Sequence, residues 1–150
     1  MKGKGLKIHE NRIILLQKLS DYRARGKFIL CEQDYEFLSK IFNIISDQIK
    51  RDNDYHTAEM VIILSATYYI EDGKRKKYLQ ESIRSNQIFK DINFWEELLC
   101  YSINKEIMRT LNVDQKVKED KKDSDIKYSN VVFSQILTLI DNMFEFELDY

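Results

Sequence analysis

Between residues 11 and 24 the apolar side chains Ile13, Ile14, Leu16, Leu19 and Tyr22 recur three and four positions apart, and Gly26 follows. That spacing fills one face of a helix, and a glycine just beyond suits the left-handed residue that ends one. A second helix is predicted from Glu32 to about Arg51. Glu32, Asp34 and Glu36 crowd its start, where carboxylates meet the positive end of the helix dipole, and Leu38, Ile41, Phe42, Ile45 and Ile49 form its buried stripe. The polar run Asp52, Asn53, Asp54 breaks the pattern. A third helix is expected from Tyr55 to Glu71, with Ala58, Val61, Ile62, Ser65, Ala66 and Tyr69 inward; it is apolar nearly all round and belongs at the centre.

Asp72 and Gly73 read as a turn, followed by a shorter helix through Tyr78, Leu79 and Ile83 that ends near Ser85 and Asn86. Asp91 is placed to cap a fifth helix running to Leu111 or Asn112, with Phe94, Trp95, Leu98, Leu99, Ser102, Ile103 and Ile107 inward. The string KVKEDKKDSDIK has no apolar period and reads as a mobile charged loop over 113–127. Ser129 or Asn130 then caps a last helix over 128–150, in which Val132, Phe133, Ile136, Leu137, Ile140, Met143 and Phe144 recur at helical spacing. That helix docks on the core or on a partner. Residues 1–10 read as a loose, lysine-bearing tail, leaving 11–112 as the core.

Composition supports this picture. The chain has 150 residues, no proline and four glycines, so few chain breakers interrupt its helices. The fold class is therefore all-α: five or six helices packed as antiparallel hairpins, in a bundle or a short repeat-like array. The paired bulky residues Phe37-Leu38 and Phe94-Trp95 hint at two stacked hairpins. Basic and acidic side chains number 24 and 25, so the net charge of -1 supplies no global pull toward nucleic acid or anionic membrane. No apolar run is long enough for a membrane span. Cys31 and Cys100 lie far apart in no metal-binding spacing, which fits a reduced, cytoplasmic protein without a disulfide. The lysine-rich start and acidic end are compatible with a domain excised from a longer chain.

Candidate chemistry is sparse. His9 falls in the tail and His56 at a helix start, neither beside a nucleophile or a second ligand. Glu96 and Glu97 point about 100° apart on a helix, and the acidic trio at Glu32 is accounted for by a favourable first turn. No phosphate loop, metal motif or nucleophile elbow appears, so the chain is read as no enzyme, with no cofactor and no metal. Lys74, Arg75, Lys76 and Lys77 form the strongest local charge cluster and are the candidate anion-binding site. The 9 tyrosines and 8 phenylalanines exceed the needs of a small helical core. Tyr35, Tyr55, Phe89 and Tyr101, at the stripe edges, are the candidate interface anchors, while Phe37, Phe42, Phe94 and Trp95 are assigned to the core.

Three stretches, CEQDYEFLSKIF, DNDYHTAEMVIILSATYY and NFWEELLCYSINKE, carry a resemblance over Leu30 to about Arg109. There the chain resembles the helical domain shared by set-binding-factor myotubularin relatives and related cytoplasmic proteins. The resemblance implies a non-catalytic region in proteins that regulate membrane traffic, and it transfers no functional residues. The functional expectation is a protein–protein interaction module, adaptor or regulatory, that accepts an amphipathic helix or self-associates through its last helix. The rival is a helical nucleic-acid-binding module that uses the basic cluster, and an enzyme with dispersed carboxylates ranks last.

Overall fold

A computed structural model describes the backbone of residues 2–114 and 121–147. Among these residues there are six α-helices and one two-stranded sheet. The helices are α1 (Lys2–Ala24), α2 (Glu32–Asp52), α3 (Tyr55–Ser65), α4 (Leu79–Ile83), α5 (Ile92–Asp114) and α6 (Lys121–Glu145); β1 (Tyr69–Asp72) and β2 (Arg75–Tyr78) make the sheet. The all-α reading holds. The chain divides into two compact units, residues 1–88 and 89–150.

In the first unit each helix end has a local cause. Gly26, at φ 73, closes α1: Lys27 N–H donates to the Tyr22 carbonyl and Gly26 N–H to that of Arg23, the paired bonds of a Schellman end. The Cys31 thiol caps α2, accepting from Asp34 N–H at 3.4 Å. Asn53, left-handed at φ 50, ends α2, and Asp54 then starts α3 by accepting from the amide and hydroxyl of Thr57 at 3.1 and 2.6 Å. The core gathers Leu16 and Leu19 of α1, Leu38, Phe42, Ile45 and Ile49 of α2, Ala58, Val61, Ile62 and Leu64 of α3, and Leu79 and Ile83 of α4. As the apolar pattern requires, α3 packs against α1, α2 and α4.

The main departure from the sequence reading lies after Ser65. The third helix stops there rather than at Glu71, and residues 69–78 form an antiparallel hairpin with Tyr69 opposite Tyr78 and Asp72 opposite Arg75. Gly73 leads its two-residue loop at φ 63, the placement of glycine that tight II′ hairpins use. β1 is anchored a second time by a parallel bridge to Ile29, where Leu30 N–H donates to Tyr69 O and Tyr69 N–H to Phe28 O. Tyr68, at the bend, buries its ring and donates its hydroxyl to Leu19 O.

Three further boundaries differ. Residues 2–10, expected as a loose tail, belong to α1. Of the expected loop over 113–127, residues 113 and 114 lie in α5 and 121–127 in α6, while 115–120 lie outside the described residues. Ser129 therefore caps nothing, and its hydroxyl bonds back to Asp125 O within the helix. Charged side chains tolerate helix well, so lack of an apolar period does not by itself end one.

In the second unit α5 and α6 pair as an antiparallel hairpin, with the start of α5 beside the end of α6. Asp91 caps α5 as expected, accepting from Asn93 N–H at 3.1 Å. Phe89, Phe94, Trp95 and Phe146 form a ring cluster, with Phe89 and Phe146 centroids 4.3 Å apart and Trp95 and Phe146 5.6 Å apart. The buried Trp95 indole donates to Phe89 O at 3.0 Å, so its polar edge is satisfied. Lys90 Nζ reaches the carbonyls of Phe146 and Glu147 at 3.2 and 2.7 Å, where a cation suits the negative end of α6.

Candidate functional site

The basic cluster folds into the hairpin, and strand geometry divides it. Successive β2 residues face opposite sides, so Lys76 lies over the Tyr69 ring at 4.6 Å while Lys77 lies over Tyr35 at 5.4 Å. Arg75 pairs with Glu81 at 2.7 Å, and Glu71 and Asp72 stand opposite Lys76 and Arg75 in the register. Lys74 is exposed in the loop. The four charges are thus brought together in sequence without forming one grip, and acidic neighbours dilute their field.

The four aromatic candidates also scatter. Tyr35 is buried and donates its hydroxyl to Tyr78 O at 3.0 Å; burial raises its hydroxyl pKa above the ordinary value. Phe89 is fully buried in the ring cluster. Neither is a surface anchor. Tyr55 and Tyr101 are half-buried, the latter beneath Lys105 Nζ at 5.6 Å. Conversely Phe37, assigned to the core, is 58% exposed. Tyr35 and Phe37 sit two positions apart on α2, about 200° around the helix, so only one of them can face the core.

One polar cluster was not visible in the sequence. Arg12, buried on α1, donates to Gln48 Oε1, to Asp52 Oδ2 and to Asp54 Oδ2, each at 3.1 Å, and to His9 Nδ1 at 2.7 Å. It clamps α1 to the corner between α2 and α3. Burial alone would raise the Asp54 carboxyl; the bonds from Thr57, then Arg12 and His9, outweigh it and hold the group below the usual carboxylate range. With Arg12 and Asp54 both on its ring, His9 is part of this clamp, and His56 is exposed at the start of α3. Among the described residues no group of three or more His, Cys, Asp or Glu side chains could hold a metal ion. Cys31 and Cys100 are free and exposed.

The surface that stands out is on α6. Its apolar residues fall into two stripes. Val132, Ile136 and Met143 are half-buried or buried on the side that packs with α5. Ile126, Phe133, Leu137, Ile140 and Phe144 lie 40–70% exposed. Eight apolar residues in the thirteen from Val132 to Phe144 cover more of the helix than one neighbour can, so the single stripe expected from the sequence becomes a packed seam and an open one. A depression of about 410 Å³ beside the open seam is lined by Tyr128, Ser129, Val132, Phe133 and Ile136. Spacings of four, three and four from Phe133 to Phe144 are those of a coiled-coil a/d seam.

The family model described as SBF2, myotubularin protein, matches residues 3–144. The match spans nearly the whole chain, beyond the Leu30 to Arg109 stretch that carries the resemblance in the sequence, and it includes most of α6. Searches of curated proteins and of solved structures each found no match. No helix among the described residues is long and apolar enough to cross a membrane. The chain belongs to the SBF2 myotubularin protein family.

Proposed function

We propose that this chain is a non-catalytic protein-interaction module, adaptor or regulatory in kind, that serves membrane-traffic proteins in the cytoplasm. The observation that carries the reading is the open α6 seam, whose apolar side chains align along one face where scattered exposure would be ordinary. Membership of a myotubularin family supports the regulatory setting. An amphipathic helix laid along Phe133, Leu137 and Ile140 would bury them in the helix-in-groove manner.

The test is the pair Phe133→Glu and Leu137→Glu on the exposed face, with proteins retained from a cytosolic extract as the readout and Trp95 emission as the control for fold. Loss of the specifically retained proteins, with emission unchanged, is the expected result. Unchanged retention would refute the seam as the binding surface. The hairpin gives no comparable support to nucleic-acid binding, because its cations face both sides and lie against aromatic rings and acidic residues.

A further inference from the structure

The open seam on α6 is complementary to itself. Taking Phe133 as a d position, the a positions are Asn130, Leu137 and Phe144 and the d positions Ile126, Phe133 and Ile140. From Ile126 to Phe144 this row runs roughly 27 Å at 1.5 Å per residue. If two copies of α6 cross head to tail, a positions meet d positions in two-fold-related layers: Phe144 against Ile126 of the second copy, Ile140 against Asn130, and Leu137 against Phe133. Every layer contains at least one large apolar side chain that is exposed in the single chain.

The flanking positions choose the direction. In an antiparallel pair, e positions face e positions, so Lys127 of each copy stands opposite Asp141 of the other, with Ser134 against Ser134 near the axis. A parallel pair would instead set Ile136 against Asp141, forcing a carboxylate onto an apolar side chain, and would bring Asp141 no cation. Within one copy Lys127 and Asp141 are about 21 Å apart along the axis, too far to pair. We infer that the α6 seam is an isologous interface in which a second copy of this chain binds antiparallel through Ile126, Phe133, Leu137, Ile140 and Phe144. This rests on the reading of α6 as a protein-binding surface and names its occupant. The polar Asn130, set against Ile140, weakens the pair relative to a fully apolar seam and disfavours shifted registers.

The test uses the full chain and its charge variants in sedimentation equilibrium. The chain is expected to dimerise, Lys127→Glu and Asp141→Lys each to weaken the dimer several-fold, and an equimolar mixture of the two variants to recover it, since both cross-copy pairs are then attractive. Orientation is read by mild oxidation after Cys31 and Cys100 are changed to serine: Ser134→Cys should form a covalent dimer and Asn130→Cys should not. A covalent dimer through Asn130→Cys alone would overturn the antiparallel arrangement. A chain that stays monomeric but loses a different protein on Leu137→Glu would overturn the second copy and leave the proposed function standing. A monomer whose interactions ignore Leu137 would overturn both.

Discussion

The two units treat their apolar residues differently. Among the described side chains of residues 1–88 the large exposed apolar ones, Ile14, Tyr22, Ile29, Phe37, Ile44 and Ile63, are spread over three helices and the Ile29 bridge. The nearest approach to a row is the pair Phe37 and Ile44 on α2. Among the described residues of 89–150, Ile92, Met108 and Leu111 are exposed on α5, while Ile126, Phe133, Leu137, Ile140 and Phe144 fall in one row on α6 that only Asn130 interrupts. The first unit also ties its elements with directional bonds, through Arg12, Tyr35, Tyr68 and the side chain of Asn86, which reaches Asp47 at 3.0 Å. The second is held at one end by four packed rings. An exposed isoleucine says little about function; a row of apolar side chains at heptad spacing, on a helix already packed on its other side, is what supports the proposed binding surface.

The sharpest way to break this contrast is Trp95→Ala, which removes the largest fully buried side chain of the ring cluster. Large-to-small changes of this kind cost about 3–5 kcal/mol, because the surrounding rings relax only partly into the space. Thermal unfolding followed by far-UV circular dichroism should show the helical signal of α5 and α6 lost at much lower temperature. If the variant melted within a few degrees of the parent, the ring cluster would not be what holds the second unit.

Arg12→Ala tests the polar half of the comparison and should cost less, about 2 kcal/mol, since Asp52 is half exposed and water can take over part of its charge. The same variant has a pH signature. Asp54 titrates lower in the folded chain than in the unfolded one, so its contribution is complete above the ordinary carboxylate value of about 3.9 and is lost as the pH falls through the depressed folded value. Without Arg12 that folded value moves toward the ordinary one, so the Asp54 contribution shrinks; its loss still begins near the ordinary value of about 3.9, but it is smaller and is complete at a higher pH. Urea midpoints measured from pH 6 downward should therefore fall less steeply with acid for the variant than for the parent. Parallel declines would mean that Arg12 adds nothing to the ionisation of Asp54.

What was legible in the sequence follows the same division. Helix positions came from apolar spacing, which packing enforces, and α2, α4 and α5 lie close to where that spacing puts them. The hairpin was missed because Tyr68, Tyr69 and Ile70 extend the apolar run of α3 without a break, and periodicity cannot separate a short strand from a further helical turn. The Asp72-Gly73 turn was visible; its role in joining strands was not. Tyr35 and Phe37 show a second limit: both lie beside the α2 stripe, and only the neighbouring chain, here the Tyr78 carbonyl, decides which turns inward. Arg12 had no sequence signal, since its amide and carboxylate partners lie 36 to 42 positions away and its near partner, His9, falls in what reads as a tail. On α6 the surface residues from Phe133 to Phe144 stood out as apolar, but Ile126 was hidden in the charged string read as a loop, and which residues α5 would cover was not visible.

Leu137→Ser carries the smallest expected effect on the single chain and bears most directly on the contrast. If Leu137 belongs to an open seam, removing its side chain leaves no cavity, and the stability of the monomer should change by no more than about 0.5 kcal/mol. The parent, stabilised by mass action when two copies pair, should melt at higher temperature as its concentration rises, whereas the variant should melt at the same temperature throughout. At high dilution the two curves should meet. A loss of 2 kcal/mol or more that persists at dilution would place Leu137 in a core, and the row on α6 would then have to be covered by its own chain.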